Sequence, residues 1–491
     1  MKRIFIVIGV LVLAGLAYVQ WVLPGKVEAS MNIVLPHEPY AVSDEARKLH
    51  DSLFIVDLHS DSLLWKRDLT RESDIGHMDV PRLQAGNVAL QVFSATTKTP
   101  SDMNYSSNTS DSDDITLLAI ASLWPPRTWF SLYERAAYQL EKLYRVAEDS
   151  DLVVVKNRAD LQILVESRAK GKPALGGLYL IEGAHPLEGN IENLDRLFEQ
   201  GLRVVGLTHF FDNELGGSLH GTSGEGLSEF GRAVIRRANE LNVIIDIAHA
   251  SPAMVEDVLA LSTAPVMLSH GGLKGACDTE RNLSDALMKK FALQGGLVGI
   301  GYWDAAVCDA SPEGIVRSIR YAIDLLGVDH VALGSDYDGT ISPPFDTSEL
   351  SVLTDVMRRS GFRRKKFARS WAKTQSAFCS TTCRNSNYQP GSESLLEARP
   401  NSAAIASIST ISSLEVTPSA CAMAYSEDRK CSARSLSKAG LAMRLSIPAL
   451  ARFCIIDSSM MNSTSAGSSF ATSCSMRRIS SRSLSLTLLS A

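Results

Sequence analysis

Cysteine is scarce in the part of the chain that carries the other reactive side chains. Only Cys277 and Cys308 precede residue 379, and the other six of the eight lie at or after Cys379. A disulfide framework is therefore not expected to support the middle region. Histidine shows the opposite bias. None of the ten histidines lies beyond His330, so imidazole chemistry is confined to the front two-thirds. Neither sign of charge dominates, with 49 Lys+Arg against 54 Asp+Glu and a net charge of -5, and no nucleic-acid partner is expected. No glycine-rich phosphate loop follows the first apolar run, which argues against an open dinucleotide-binding sheet. Hydrophobic residues at 45% and charged residues at 21% exclude a wholly disordered or collagenous chain. A length of 491 residues allows roughly two to three domains.

The N-terminus reads as a targeting segment, residues 1–29. Lys2 and Arg3 supply positive charge, and residues 4–23 are almost unbroken apolar sequence, long enough to cross a bilayer as a helix. A cleaved signal peptide has a shorter apolar core, yet Val27-Glu28-Ala29 offers a cleavage site, so anchor and signal peptide both stand. Either one places the bulk of the chain outside the cytoplasm, membrane-anchored or secreted.

From about residue 50 to 340 the sequence alternates. Short β-branched runs at 54–58, 88–93, 175–181, 204–208, 243–248, 265–269, 297–301 and 331–334 read as strands. Stretches of helical length lie between many of them, at 159–172, 190–200, 228–241, 252–260, 284–293 and 312–326. Strands that alternate with helices predict a buried parallel sheet, and eight of them close a (β/α)₈ TIM-type barrel. The Ser/Thr/Asn/Asp-rich stretch 99–114 reads as a long loop after the second strand.

Polar residues gather where these strands end. His59-Ser60-Asp61, Glu182 with His185, His209, His249, His270, and Asp336 with Asp338 each follow a run. In a parallel barrel those ends share one face, where loops build the site. His59 and Asp61, two apart, point the same way in an extended chain. Imidazoles with a bridging carboxylate suit a hard-to-borderline divalent metal. A single histidine after a strand is more often an ordinary hydrogen-bonding residue; the joint pattern over many strands is what carries the metal reading. His37, His50, His77, His220 and His330 sit on loops or at the wrong strand end and are read as structural. Asp57 and Asp246 lie inside strands and are read as hydrogen-bonding supports.

The motifs Val56-Asp57-Leu58-His59-Ser60-Asp61, Ile181-Glu182-Gly183-Ala184-His185, Leu207-Thr208-His209, Ile245-Asp246-Ile247-Ala248-His249, Leu268-Ser269-His270, Arg281-Asn282 and Gly334-Ser335-Asp336-Tyr337-Asp338-Gly339 occur in this order. Over residues 45–362 the chain resembles the membrane dipeptidase (renal dipeptidase) family of zinc peptidases, of the metal-dependent hydrolase kind. The resemblance implies two zinc ions per chain, with His59 and Asp61 on one, His249 and His270 on the other, and Glu182 bridging both. It implies dipeptide hydrolysis by a metal-bridged hydroxide. His209 would contact the scissile carbonyl, Arg281 the substrate carboxylate, and Asp336 would act as acid/base. Leu58 stands where the family usually has Gly, and Ala184-His185-Pro186 replaces Gly-His-Ser. Alternatives on the same barrel are a binuclear amidohydrolase acting on N-acyl amino acids and an inactive membrane-tethered homologue. A homodimer stays open.

After Phe362 the composition changes. Residues 380–491 hold 28 Ser in 112 positions, no His or Trp and six acidic residues, which reads as a disordered low-complexity tail. A shift of reading frame near Gly361-Phe362 explains it more sharply. One codon choice for residues 365–378, read two bases later, spells EIREVMGENTIRV, which resembles the family's closing helix. Residues 363–491 are thus expected to be out of frame, and Cys379 and Cys383 carry no metal-site meaning.

Overall fold

The structure, a computed structural model, describes residues 2–362; the tail expected at 363–491 lies outside them. Among the described residues there are nine parallel strands: β1 (Ile55–Ser60), β2 (Val88–Thr96), β3 (Leu152–Val154), β4 (Leu175–Glu182), β5 (Leu202–Gly206), β6 (Ile244–Asp246), β7 (Met267–Gly271), β8 (Leu297–Ile300) and β9 (Val331–Leu333). All but β3 close into a barrel, because β2 pairs with both β1 and β4 while β1 also pairs with β9. The short β3, unforeseen from the sequence, lies outside this ring. It pairs with the start of β4 (Leu152↔Leu175), leaving β5 to pair further along from Tyr179. The TIM-type expectation holds.

The strands form because their side chains are buried on both faces: every residue of β1, β2 and β4 is buried. One apolar cluster draws Val56, Leu90, Leu178, Val204, Ile244, Met267, Leu297 and Ala332 from the eight barrel strands and fills the interior. A second packs the outward residues, such as Tyr179, Ile245 and Val298, against the helices. Those helices start at serines. Ser228, Ser251, Ser284 and Ser311 each accept a hydrogen bond from the backbone N–H three residues on, and Pro252 and Pro312 take the first helical position. Each such cap is worth about 1 kcal/mol.

Two of the register slips between neighbouring strands fall near the C-terminal ends of β1 and β7. On β1, Asp57 pairs with Gln91 but Ser60 with Phe93, three steps against two. On β7, Leu268 pairs with Val298 but Gly271 with Ile300, again three against two. An extra residue in one strand is a bulge, and it reverses which face the next side chain meets. Val56 and Leu58 face inward below the first bulge, as Met267 does below the second. The bulges therefore turn His59 and His270 toward the barrel mouth, where a regular strand would send them outward.

Cys277 and Cys308 are joined in a disulfide across 31 residues of sequence. This corrects the expectation that cysteine lends the middle region no cross-link; the pair ties the segment after β7 to the segment after β8. At the N-terminus an exposed apolar helix, Lys2–Trp21, leads into a shorter one, Leu23–Met31. The stretch Arg3–Met31 is long and apolar enough to cross a membrane.

Candidate metal centre

Seven side chains named from the sequence meet at the C-terminal mouth of the barrel, and all are buried. Glu182, the last residue of β4, stands at the middle. Its Oε1 lies 3.3 Å from His249 Nε2 and 3.5 Å from both His270 Nε2 and His59 Nε2. Its Oε2 lies 3.5 Å from His209 Nε2. His59 Nε2 is also 3.7 Å from Asp61 Oδ1 and 3.9 Å from Asp336 Oδ1. The Thr96 hydroxyl at the end of β2 sits 2.8 Å from Asp61 Oδ1 and 3.0 Å from Glu182 Oε2, so its single proton spans the two carboxylates. Three overlapping triads result: His59/Asp61/Glu182, Glu182/His209/His249 and His59/His270/Asp336.

The surrounding chain is built to aim these groups. His249 and Asp336 both take left-handed backbone, with φ of 62°, where a non-glycine residue is strained. Asp57 accepts from the backbone N–H of His59 and of Ser335, and so joins the β1 and β9 ends of the site. Asp246 accepts from Ser269 N and from the Ser269 hydroxyl at 2.5 Å. The Ser269 oxygen, its proton thus committed, receives the Nδ1–H of His270 at 2.9 Å. That bond fixes the tautomer and leaves Nε2 of His270 as an acceptor, 2.9 Å from His249 Nε2 and 3.5 Å from Glu182 Oε1. Both aspartates are the hydrogen-bonding supports that their positions inside strands suggested.

The charges at the site are strongly coupled to its burial. Burial alone would lower the pKa of His59, yet Glu182, Asp61 and Asp336 outweigh it and raise it to about 10. Burial, then Asp61, raises that of Glu182. Burial lowers those of His249 and His270 well below the usual imidazole range, with Arg281 adding to the effect in both. Those carboxylates thus hold a proton on His59, while burial keeps His249 and His270 neutral. His59 Nε2 is buried without a hydrogen-bond partner. Neutral imidazole nitrogens and carboxylate oxygens converging on one small volume suit a borderline divalent ion, which can replace that proton.

Arg281 stands beside the carboxylate group, buried, with Nη2 donating to His270 O at 2.7 Å and its guanidinium 5.6 Å from the Trp303 ring centre. Its Nε has no partner. Two wall residues were not singled out as site residues from the sequence. His220, read as structural, has its ring 5.4 Å from that of His249 and its Nδ1 2.8 Å from Tyr105 O. Tyr105, in the long loop after β2, accepts at its hydroxyl from Trp303 Nε1 at 2.9 Å. The polar loop 99–114 thus folds over the site. His50, His77 and His330 make structural bonds instead, to Thr354 and Gly86, to Asp338, and to Gly296 respectively. His185, from the same polar stretch as Glu182, is buried behind the site against the Phe211 ring.

Residues 43–374 match the model of the membrane dipeptidase family, peptidase family M19. The chain belongs to that family. As a member of the membrane dipeptidase family it is a metallopeptidase, with its metal-capable side chains at the barrel mouth. Among curated relatives, an uncharacterised protein from the pqqA 5′ region of Klebsiella pneumoniae is 32% identical over 197 residues, covering 37% of this chain and 73% of its own. Dipeptidase aclJ of Aspergillus oryzae is 26% identical over 328 residues, covering 62% and 71%. Among solved structures, a Rhodobacter sphaeroides metallo peptidase liganded with a phosphinate mimic of the dipeptide L-Ala-D-Ala shares the fold. Its TM-score is 0.53 at 22% identity, over 67% of this chain and 99% of its own.

Proposed function

We propose that this membrane dipeptidase relative hydrolyses dipeptides with two zinc ions held at the barrel mouth. His59 and Asp61 would hold one ion, His249 and His270 the other, and Glu182 would be within reach of both. The observation that carries this reading is Glu182 Oε1, which stands 3.3–3.5 Å from the Nε2 atoms of all three ligand histidines. When bound, paired cations supply a nucleophile from water at neutral pH and polarise a carbonyl.

This chain's own residues do the rest. Arg281 holds the substrate's free carboxylate with the guanidinium edge that His270 O leaves open, which limits substrates to those ending one residue past the cleaved bond. His209, on the far side of Glu182, hydrogen-bonds the scissile carbonyl oxygen as it gains charge. Asp336 is the carboxyl not used by either ligand set; it takes the proton from the attacking water and returns it to the leaving amine. The fold's neighbour with a phosphinate dipeptide mimic bound supports the substrate class. The apolar helix Lys2–Trp21 anchors the barrel at a membrane, outside the cytoplasm.

A panel of free dipeptides, C-terminally amidated dipeptides and N-acyl amino acids, run on protein of measured zinc content, tests this. Free dipeptides should be cleaved and their amides should be poor substrates. Equal rates on free and amidated forms, or preference for N-acyl amino acids, would refute it.

A further inference from the structure

The apolar N-terminal helix is fastened to the same rim of the barrel that carries the site. Its continuation, Leu23–Met31, docks there through buried Glu28, which pairs with Arg67 Nε at 2.5 Å. The same guanidinium pairs with Asp338, two residues past Asp336. Asn32 Oδ1 accepts from Thr340 N at 2.9 Å, and Leu35 N donates to Pro343 O at 2.9 Å. Lys66, in the turn after β1, donates to Gln20 O at 2.5 Å in the last turn of the long helix. Every one of these partners lies beyond the C-terminal end of β1 or β9.

Beside this docked segment runs the helix Asp114–Ala121, part of the excursion after β2. Its inner face packs Ile115 and Ala119 with Trp124, and Val27 of the docked segment joins that cluster. Its outer face and the turns that follow expose Leu117 (71%), Ile120, Leu123 and Phe130 (86%). Single exposed apolar residues are ordinary; Leu293, 88% exposed at the opposite end of the barrel, is one. Here Leu117 and Ile120 share one helix, Leu123 lies in the turn that ends it and Phe130 follows one short turn later, all in the segment that packs against the membrane-length apolar helix's continuation. The polar markers of a membrane interface stand alongside. Tyr18 and Trp21 end the apolar helix, Lys26 Nζ lies 5.8 Å from the Tyr18 ring centre, and Lys66 holds Gln20.

We infer that this rim is a lipid-contacting surface: with Lys2–Trp21 in the bilayer, Leu117, Ile120, Leu123 and Phe130 enter the boundary between headgroups and acyl chains, and the mouth of the site faces the membrane. The inference rests on the anchoring proposed above. A tethered patch needs little affinity of its own, because the anchor keeps it at high effective concentration against the lipid. The substrates reached first are then peptides at the membrane surface.

The test replaces Leu117, Phe130 or Leu293, one at a time, with an environment-sensitive fluorescent amino acid in the full chain. Each variant is reconstituted into vesicles of phosphatidylethanolamine and phosphatidylglycerol and washed with carbonate. Probes at 117 and 130 should shift to the blue and be quenched by brominated acyl chains, while the probe at 293 should not. Emission at 117 and 130 as water-like and unquenched as at 293, in chains that survive the wash, would overturn the inference. A blue shift without lipid quenching would overturn it too, and assign the patch to a second copy or another protein. Release of the chain by carbonate would remove the anchor and this inference together, while the dipeptide assay on the same sample reports separately on the chemistry.

Discussion

Replacing Glu182 by Gln is the sharpest single perturbation of the site. The amide keeps the shape of the carboxylate and can still accept from the Thr96 hydroxyl, so packing at the end of β4 is preserved. What is lost is one negative charge within 3.3–3.5 Å of three imidazoles. A unit charge acting on another at 4 Å is worth about 4 kcal/mol at the effective dielectric of about 20 that describes protein sites. Each metal carries two charges and two metals repel each other, so about 4 kcal/mol is a floor. It corresponds to a loss of roughly a thousandfold in metal affinity. Glu182→Gln should therefore leave dialysed protein with little zinc by elemental analysis and with dipeptide turnover near background. Its far-UV circular dichroism should match the parent, because the barrel's own core is untouched. Retention of two zincs with near-normal turnover would show that the bridge lies elsewhere.

The barrel was legible because parallel strands buried on both faces are written as continuous apolar runs. The run read at 175–181 is β4, Leu175–Glu182, and the run at 297–301 is β8, Leu297–Ile300. The strand β3, Leu152–Val154, was missed; it lies outside the closed ring and pairs only with the start of β4. The helix Leu132–Glu148 was missed for another reason. It sits between β2 and β3, inside an excursion that carries no strand to announce it. At the site, His59 and Asp61 stand 3.7 Å apart, in keeping with their spacing of two, but the spacing alone places them on the wrong face. Val56 and Leu58 fill the interior, and only the extra residue in β1 brings His59 in as well. A bulge depends on the register of a neighbouring strand, which one sequence does not reveal. His220 and Tyr105 escaped because they reach the centre from loops, and a loop's side chains have no periodicity that says where they point.

Arg281→Ala should raise KM for dipeptides at least tenfold while kcat falls less, since the guanidinium binds a substrate carboxylate that does not react; an unchanged KM would remove Arg281 from substrate binding. Gly334→Ala would place a methyl 2.0 Å from Ser269 O and 3.0 Å from Gly299 Cα, between two backbones that cannot yield. Overpacking of this kind costs about 1–3 kcal/mol, so Tm should drop by several degrees by calorimetry, and a Tm matching the parent would mean that the barrel ends are more pliant than they look. His77 is fully buried and its Nδ1 accepts the backbone N–H of Asp338 at 2.9 Å, which requires that nitrogen to be unprotonated. Burial lowers its pKa from 6.5 to about 4, Asp338 opposing and Arg67 adding to the fall. An imidazole with a depressed folded-state value resists a proton that the unfolded chain accepts. Its contribution is therefore fully present above pH 6.5 and is lost as the pH falls toward 4. A difference of this size is worth about 3 kcal/mol across that window. Urea unfolding at neutral pH and near pH 4.5 should show the parent losing about 2 kcal/mol more than His77→Asn, whose amide oxygen can accept the same N–H without titrating. Equal losses in the two proteins would mean that acid acts on the fold through other groups.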